Sequence, residues 1–100
     1  MITKEYKDKL RNTSEILKAI GHPTRLCIVC KLMQRELNVS EMQECLVMPQ
    51  STVSQHLSIL KSRGIIEGRR NGSEVIYSLV NEEVKDVVKV FFEEGEIPNS

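Results

Sequence analysis

Apolar residues recur at helical spacing through the first part of the chain. The repeating positions are Tyr6, Leu10, Leu17 and Ile20, with charged residues between them. This spacing predicts an amphipathic helix over Lys4–Ile20. Pro23 suits the first position of a following helix, because its missing N–H would have no helical partner there anyway. A second helix is therefore predicted from Pro23 to about Gln34.

Two further patterns predict a helix-turn-helix over residues 40–62. Ser40 is placed to cap a short helix over 41–46, and Pro49 lies in the turn that follows. The apolar side of the next helix, Gln50–Ser62, is formed by Val53, Leu57 and Leu60. A short helix, a tight turn and a longer helix with one polar side are the parts of this motif.

The second half of the chain predicts a β-hairpin and one more helix. Strand-like runs at 65–70 and 74–79 flank Asn71-Gly72-Ser73, which is a strong hairpin signal. Asn81 is placed to cap a last helix over 82–94. Its broad apolar stripe comprises Val84, Val87, Val88, Phe91 and Phe92.

These elements predict a fold that is mainly α with a β-hairpin wing. The expected architecture is a winged helix-turn-helix, α-α-α-α-β-β-α, in one domain over residues 1–100 with the wing at 65–79. Asn38-Val39 is too short for a central strand and would form only a strand-like bridge. A chain of this size buries a modest core and often gains stability by dimerising.

Charge is balanced over the whole chain but unevenly distributed along it. Lys plus Arg and Asp plus Glu both number 14, so the formal net charge is zero. Residues 50–73 hold four basic residues and one acidic residue, a net charge of +3. Residues 81–100 hold two lysines and six acidic residues, a net charge of −4. The basic middle is suited to face phosphate while the acidic end points elsewhere.

Some classes of function are disfavoured by the residues present. No apolar run is long enough to span a bilayer and the N-terminus has no apolar signal core, so no membrane partner and a cytoplasmic location are expected. The histidines are His22 and His56, and neither a nucleophile–base pair nor a glycine-rich phosphate loop is visible. The sequence therefore predicts a protein that is not an enzyme and needs no cofactor.

One side of the helix at Gln50–Ser62 is rich in short polar side chains. They are Gln50, Ser51, Thr52, Ser54, Gln55, His56 and Ser58. Hydroxyls and amides suit a DNA major groove, where glutamine can pair bidentately with adenine. The helix N-terminus favours a phosphate near Ser51 and Thr52, although these two would otherwise be helix caps. His56 flanks the core position Leu57, so base contact and packing within the fold both remain open for it.

Arg69, Arg70 and Asn71 lie at the predicted wing. Arginine there can pair with phosphate or enter a minor groove, and the adjacent hairpin tip favours this interpretation. The alternative is that the charges keep an edge hairpin soluble. Lys61 and Arg63 are equally well explained by backbone contact and by solvation.

These motifs resemble those of the ArsR/SmtB family of bacterial repressors. The matching segments are Gly21-His22-Pro23-Thr24-Arg25-Leu26, Pro49 to Leu57 with its Ser54-Gln55-His56-Leu57, Gly64-Ile65-Ile66, and Arg69-Arg70-Asn71-Gly72 followed by Ile76-Tyr77. The resemblance implies a homodimer, joined by the helices at 4–20 and 82–94, that represses transcription at an inverted-repeat operator in double-stranded DNA. It also implies an inducer that shifts the dimer to a form with poor DNA affinity.

The interface that the resemblance implies would use apolar positions on these two helices. They are Tyr6, Leu10, Val84, Val87, Val88 and Phe91. The alternative for the last helix is packing on its own subunit only. The family's metal sites are not matched, because the positions of their ligands hold Asn38, Ser40, Asn81, Glu83, Glu94 and Ile97. Transition metals need softer or imidazole ligands, so no metal site is expected.

Three cysteines remain as candidate sensor residues. Cys27 and Cys30 are neighbours on one side of the second helix, and Cys45 adds a third thiolate only if the fold brings it near them. A branch of the resembled family senses persulfides or oxidants through cysteines on the second and last helices. Cys30 matches the first position, but the last helix holds no cysteine. Sensing of a thiol-reactive oxidant, persulfide or thiophilic metal is therefore a hypothesis, beside purely structural roles for the thiols, and the inducer is unknown.

Two alternatives to an inducible repressor remain. A winged-helix module for protein interaction would need acidic or bulky apolar residues on its recognition face or wing, and neither is seen. A constitutive DNA-binding regulator would lack a small-molecule sensor altogether.

Overall fold

The computed structural model describes residues 1–98, and the last two residues of the predicted domain lie outside this range. The elements are α1 Lys4–Ile20, α2 Pro23–Gln34, β1 Leu37–Asn38, α3 Val39–Leu46, α4 Gln50–Ser62, β2 Ile66–Asn71, β3 Glu74–Leu79 and α5 Glu82–Phe91. The winged helix-turn-helix prediction is confirmed. So are the predicted bounds of α1, α2 and α4.

The first two helices are separated by a short turn that His22 closes. The His22 Nδ1 atom accepts a hydrogen bond of 3.1 Å from the Thr24 backbone N–H, and Pro23 occupies the first helical position. The imidazole therefore satisfies one of the donors that a helix start leaves open.

The start of α3 differs from the prediction that Ser40 caps it. Asn38 is the cap, because its side-chain oxygen accepts from the Glu41 N–H at 2.8 Å. The Glu41 carboxylate in turn accepts from the Asn38 N–H at 3.0 Å, which completes a capping box. With the Glu41 N–H satisfied by Asn38 and the Asn38 N–H by Glu41, the helix begins at Val39 and Ser40 lies inside it.

The three strands form one antiparallel sheet in the order β1-β3-β2. β1, Leu37–Asn38, pairs with Tyr77 and Ile76, one residue earlier than the predicted bridge. In the hairpin, Asn71 pairs with Glu74, so the loop is Gly72-Ser73 and Asn71 belongs to β2 rather than to the turn. Gly72 has φ of +67°, a conformation that glycine adopts at little cost at the first loop position of a type II′ turn.

The end of α5 also differs from the prediction. The helix stops at Phe91 rather than at residue 94, and Phe92 has extended backbone angles. Leaving the helix lets Phe92 and Ile97 pack against the core. We call residues 92–98 the C-terminal strap, because they fold back over α2. There the Gln34 side-chain amide donates to the Ile97 carbonyl at 2.7 Å, and Lys31 Nζ donates to the Pro98 carbonyl at 2.7 Å.

All five helices and the sheet contribute to a common hydrophobic core. α1 contributes its buried residues only at its C-terminal end, where Ala19 and Ile20 are buried. No buried side-chain N or O atom in the described part of the chain lacks a hydrogen-bond partner. Within residues 1–98, no helix combines the length and the apolar character that crossing a lipid bilayer requires.

Candidate nucleic-acid interface

The residues of α4 divide into a buried side and an open side. Val53, Leu57 and Leu60 are at most 2% exposed and anchor the helix in the core. The residues exposed on the other side are Gln50, Ser51, Ser54, Gln55 and Ser58, while Thr52 and His56 are half-buried. α4 contains no acidic residue. The open side therefore presents hydroxyls and amides without a charge that would repel phosphate.

The N-terminus of α4 has no side-chain cap. Pro49 is the N-cap, and its carbonyl accepts from the N–H groups of Thr52 and Val53 at 3.1 Å. The hydroxyls of Ser51 and Thr52 do not cap the helix, which removes the alternative role considered for them. The N-terminus of α4 therefore carries its partial positive charge without a side-chain acceptor beside it.

His56 lies in a cluster that joins three helices. Arg25 Nη1 approaches His56 Nδ1 at 3.4 Å, and the ring centroids of His22 and His56 are 4.9 Å apart. Arg25 is itself held by a 2.6 Å hydrogen bond from its Nε to the Ala19 carbonyl at the end of α1. Burial, followed by the neighbouring His22 and Arg25, lowers the pKa of His56. These contacts hold the half-buried His56 ring against α2, and the lowered pKa favours its neutral form.

Sequence reasoning did not find Arg25 as part of this cluster. Arg25 lies on α2 and His56 on α4, 31 positions apart, so no periodicity within one helix relates them. The sequence feature that could have indicated this contact is the His22-Pro23 start of α2, since it places Arg25 in the first turn of that helix.

The hairpin packs tightly on one side because β2 carries Gly68. A Cβ atom at this position would lie 2.8 Å from Val75 Cγ1 and 3.0 Å from Tyr77 Cε1. Any larger residue would push these side chains away, so Gly68 leaves the space that Val75 and Tyr77 fill. Arg69, Arg70 and Asn71 follow it toward the tip, and all three are exposed.

The two wing arginines have different partners. Arg69 forms a bidentate ion pair with Glu36, with Nη1–Oε2 and Nη2–Oε1 distances of 2.9 Å. Its hydrogen bond lowers the pKa of Glu36, and the pKa of Arg69 is raised in return. Arg70 has no ion-pair partner among residues 1–98. The sequence did not predict the ion pair of Arg69 with Glu36, because the two residues meet only when the sheet has formed.

A polar cleft separates the helix-turn-helix from the hairpin. Its volume is about 260 Å³. Gln50 and Ser40 line the helical wall, and Ser73 lines the hairpin wall. Asn38 Nδ2 donates to Glu74 Oε1 at 2.9 Å across the base of the cleft. This bond ties the start of α3 to the wing.

The cysteines do not form a common cluster. Cys30 is buried, and Cys27 and Cys45 are half-buried free thiols. Cys45 lies in a separate surface hollow with Arg35, Glu41 and Glu44. In the described range 1–98, no group of three or more His, Cys, Asp or Glu residues is placed to hold a metal ion. Burial, and secondarily Cys27, raises the pKa of the Cys30 thiol.

The apolar positions predicted for a dimer interface fall into two groups. Tyr6, Leu10 and Phe91 are 53%, 49% and 74% exposed, which leaves them open to a partner. Val84 and Val88 are only 1% and 2% exposed, so the interface role predicted for them is corrected to a core role. Their side chains pack inside their own subunit and have almost no surface left. Val87, which was predicted with them, is half-buried and keeps part of its surface.

Comparison with known proteins places this geometry among transcriptional regulators. The model of a family described as bacterial regulatory protein, arsR family, matches residues 22–67. The chain is 34% identical over 92 residues to the biofilm growth-associated repressor of Xylella fastidiosa, covering 91% of this chain and 81% of that protein. It is 39% identical over 82 residues to the transcriptional repressor PagR of Bacillus anthracis, covering 81% and 82%.

A solved structure shares both the fold and the arrangement of elements. It is the homodimeric winged helix-turn-helix DNA-binding domain of a possible ArsR-family regulator from Mycobacterium bovis. The TM-score is 0.82 at 28% identity, and the match covers 89% of this chain and 82% of that one.

Proposed function

The chain belongs to the ArsR family of bacterial regulatory proteins, as its motifs predict, and from this membership we propose that it represses transcription as a homodimer on an inverted-repeat operator. The observation that carries the proposal is the open side of α4, which is exposed, polar and free of acidic residues. This side enters the major groove, and the wing contacts the flanking backbone.

The individual contacts follow from where each side chain lies. Ser51 and Thr52 lie in the first turn of α4, whose N-terminus has no side-chain cap, and they position the helix on phosphate. Ser54 and Gln55 lie one turn further along the open side, where they reach base edges, and Ser58 follows on the next turn. On the wing, Arg70 supplies the phosphate or minor-groove contact, with Asn71 beside it at the tip.

The dimer is supported by the first helix. α1 has 17 residues, yet only Ala19 and Ile20 are buried within the chain. An isolated helix of this length is only marginally stable in water, so its apolar side gains from a partner. Tyr6 and Leu10 on α1 and Phe91 on α5 provide that surface in a two-fold arrangement.

The proposal is tested by selecting binding sites from random duplex DNA with the purified full chain. We expect an inverted repeat whose half-sites lie about one helical turn, 10–10.5 base pairs, or a multiple of it apart. A promoter containing the selected site should lose activity when the chain is expressed. Recovery of no sequence above background would contradict DNA recognition and favour the protein-interaction alternative. Increased promoter activity would contradict repression.

Gln55→Ala tests base reading by the open side of α4. If Gln55 makes a bidentate contact, its loss should cost about 1–3 kcal/mol and relax the preference at one base pair. Ser14→Ala is the control, because the Ser14 hydroxyl donates to the Arg11 carbonyl within α1. Fluorescence anisotropy on the selected operator and on single-base variants measures both effects. Unchanged specificity in the Gln55 variant would remove this role.

A further inference from the structure

An apolar cavity lies between α2 and the C-terminal strap. Its volume is about 350 Å³, within the range of small-molecule sites. Leu26 on α2 and Phe92 and Ile97 on the strap form apolar walls, and Cys27 and Cys30 also line it. Unlike the polar side of α4, the cavity offers mainly hydrocarbon and sulfur surface.

The two thiols in this cavity differ in exposure. Cys30 is 7% exposed, and its thiol has no hydrogen-bond partner among the described residues. Burial raises its pKa, which keeps it a neutral thiol. Cys27 lies one helical turn earlier on the same side of α2 and is half-buried, so an incoming molecule can reach its sulfur. Cys27 is therefore the better placed nucleophile.

Two common uses of a cysteine pair fit this site poorly. A closed structural zinc site needs four ligands, and although Glu96 also lines the cavity, no group of three His, Cys, Asp or Glu within residues 1–98 is placed to hold a metal ion. A disulfide between residues on consecutive turns of one helix would strain α2 without joining it to another element. What remains is chemistry that needs one thiol and an apolar surface beside it.

We propose that this cavity binds small apolar α,β-unsaturated carbonyl compounds and that Cys27 adds to them covalently. The Cys27 sulfur, as the thiolate, forms a bond to the β-carbon, and the carbon–carbon π bond breaks. Its electron pair moves to the α-carbon, which takes up a proton equivalent to the one lost by the thiol. The step needs no oxidant, reductant or second cysteine.

An adduct in the cavity acts on the strap. The strap is tied to α2 by the hydrogen bonds from Gln34 and Lys31 to the carbonyls of Ile97 and Pro98. A bulky group on Cys27 competes with Phe92 and Ile97 for the same space. Because the strap continues directly from α5, its displacement moves the helix that carries Phe91 at the dimer surface. This effect on DNA binding, unlike the binding site itself, rests on the proposed function.

The first experiment compares two reagents on the full chain. Cyclohex-2-enone is the apolar reagent and acrylamide the polar one, and Cys45, in a hollow with Arg35 and Glu44, is the internal reference. Peptide mapping by mass spectrometry gives the ratio of modification at Cys27 to that at Cys45. The ratio should be about tenfold higher with cyclohex-2-enone, since the extra hydrocarbon is buried in the cavity. Equal ratios for both reagents would overturn the proposal.

The second experiment measures operator affinity before and after reaction with cyclohex-2-enone. The adduct should weaken binding by about tenfold, a typical allosteric coupling. Cys27→Ser should abolish this loss, whereas the matched Cys45→Ser variant should behave like the unchanged chain. Release of the Cys27 variant to the same extent would overturn the regulatory role. If the unreacted chain binds no operator, the proposed function fails. The modification ratio still shows whether the cavity binds the apolar reagent beside Cys27.

Discussion

At the scale of single residues, the wing shows how one neighbour changes the role of an arginine. Arg69 and Arg70 are adjacent in sequence and both exposed, yet only Arg69 is held by a carboxylate, that of Glu36. An exposed ion pair contributes little to stability, but it occupies the guanidinium that DNA would otherwise use. Glu36 also places a negative charge beside the path of the phosphates.

Replacing Glu36 by glutamine should therefore strengthen DNA binding. Arg69 is released to contact a phosphate, so the plot of log affinity against log salt should become steeper by about one unit. Titrations at several salt concentrations measure this slope. Glu94→Gln removes an exposed charge from the strap and serves as the control.

Arg70→Ala should weaken binding more than Arg69→Ala in the unchanged chain. If the two alanine variants are equivalent, and Glu36→Gln behaves like Glu94→Gln, then Arg69 already leaves Glu36 when DNA is bound. The comparison thus separates a positioning role of Arg69 from direct contact.

The cluster of His56, His22 and Arg25 predicts a pH dependence of folding. Because the pKa of His56 is lowered in the folded chain, the unfolded chain takes up its proton first. The stabilisation is complete above the ordinary histidine pKa of about 6.5 and is lost as the pH falls through the lower folded value. Urea unfolding at pH 7.5, 6.5 and 5.5 should show this decrease. His56→Gln should reduce it, and an identical decrease in that variant would contradict the assignment.

The residues of the open side of α4 were predictable from the sequence, whereas their tertiary partners were not. Ser54, Gln55 and Ser58 follow from the periodicity of one helix, which also fixes the buried positions. The Arg69–Glu36 and Arg25–His56 contacts join residues 33 and 31 positions apart. Such pairs depend on how elements pack, and no local pattern encodes that.

At the scale of elements, the boundary between β1 and α3 depends on Asn38. This residue pairs with Ile76 in the sheet, caps α3 and donates to Glu74 on the hairpin. The sequence pattern predicted Ser40 as the cap and placed Asn38 in the bridge before it. Gln43 stands at capping-box spacing after Ser40 just as Glu41 does after Asn38, but in the structure Asn38 and Glu41 form the reciprocal hydrogen bonds.

Asn38→Ala should accordingly destabilise the chain by about 1 kcal/mol, the usual cost of losing an N-cap. Ser40→Ala is the matched control and should change stability by less than about 0.5 kcal/mol, because Ser40 is exposed within the helix. Chemical denaturation of both variants measures the difference. A larger loss for Ser40→Ala would restore Ser40 as the cap.

The end of α5 illustrates the limit of reading helices from sequence. Residues 92–94 continue the pattern of α5, which predicted a longer helix. The helix stops at Phe91 because Phe92 and Ile97 gain burial against the core once the backbone leaves the helical path. Packing of a later segment outweighs local propensity here.

At the scale of the whole molecule, the single chain is more extended than its length requires. The radius of gyration is 14.5 Å, with extents of 49 × 30 × 21 Å, whereas a compact domain of 100 residues has a radius of about 13 Å. α1 accounts for much of this shape, because only its last residues are packed on the core. The order of elements was predictable from the sequence. Which part of α1 stays exposed was not, because that depends on how the neighbouring elements pack.

Leu10→Asp should produce a folded monomer with weak operator binding. The charge falls at an exposed position on the apolar side of α1, well before Ala19 and Ile20, which pack into the core, so the chain keeps its fold while the interface is lost. Asn12→Asp adds the same charge on the opposite side of α1 and should remain dimeric. Sedimentation velocity gives the oligomeric state, and anisotropy gives the affinity. A dimeric Leu10 variant with full affinity would contradict the assigned interface.

In the sheet, β3 lies between β1 and β2. Leu37 and Asn38 pair with Tyr77 and Ile76 in the middle of β3, and the tip, Gly72-Ser73, lies beyond this pairing. Two more residues in each strand would advance the tip by about 7 Å without changing which side chains face inward. During evolution, the length of DNA covered by a protomer can therefore change at the tip alone, while the helix that reads the bases stays in place.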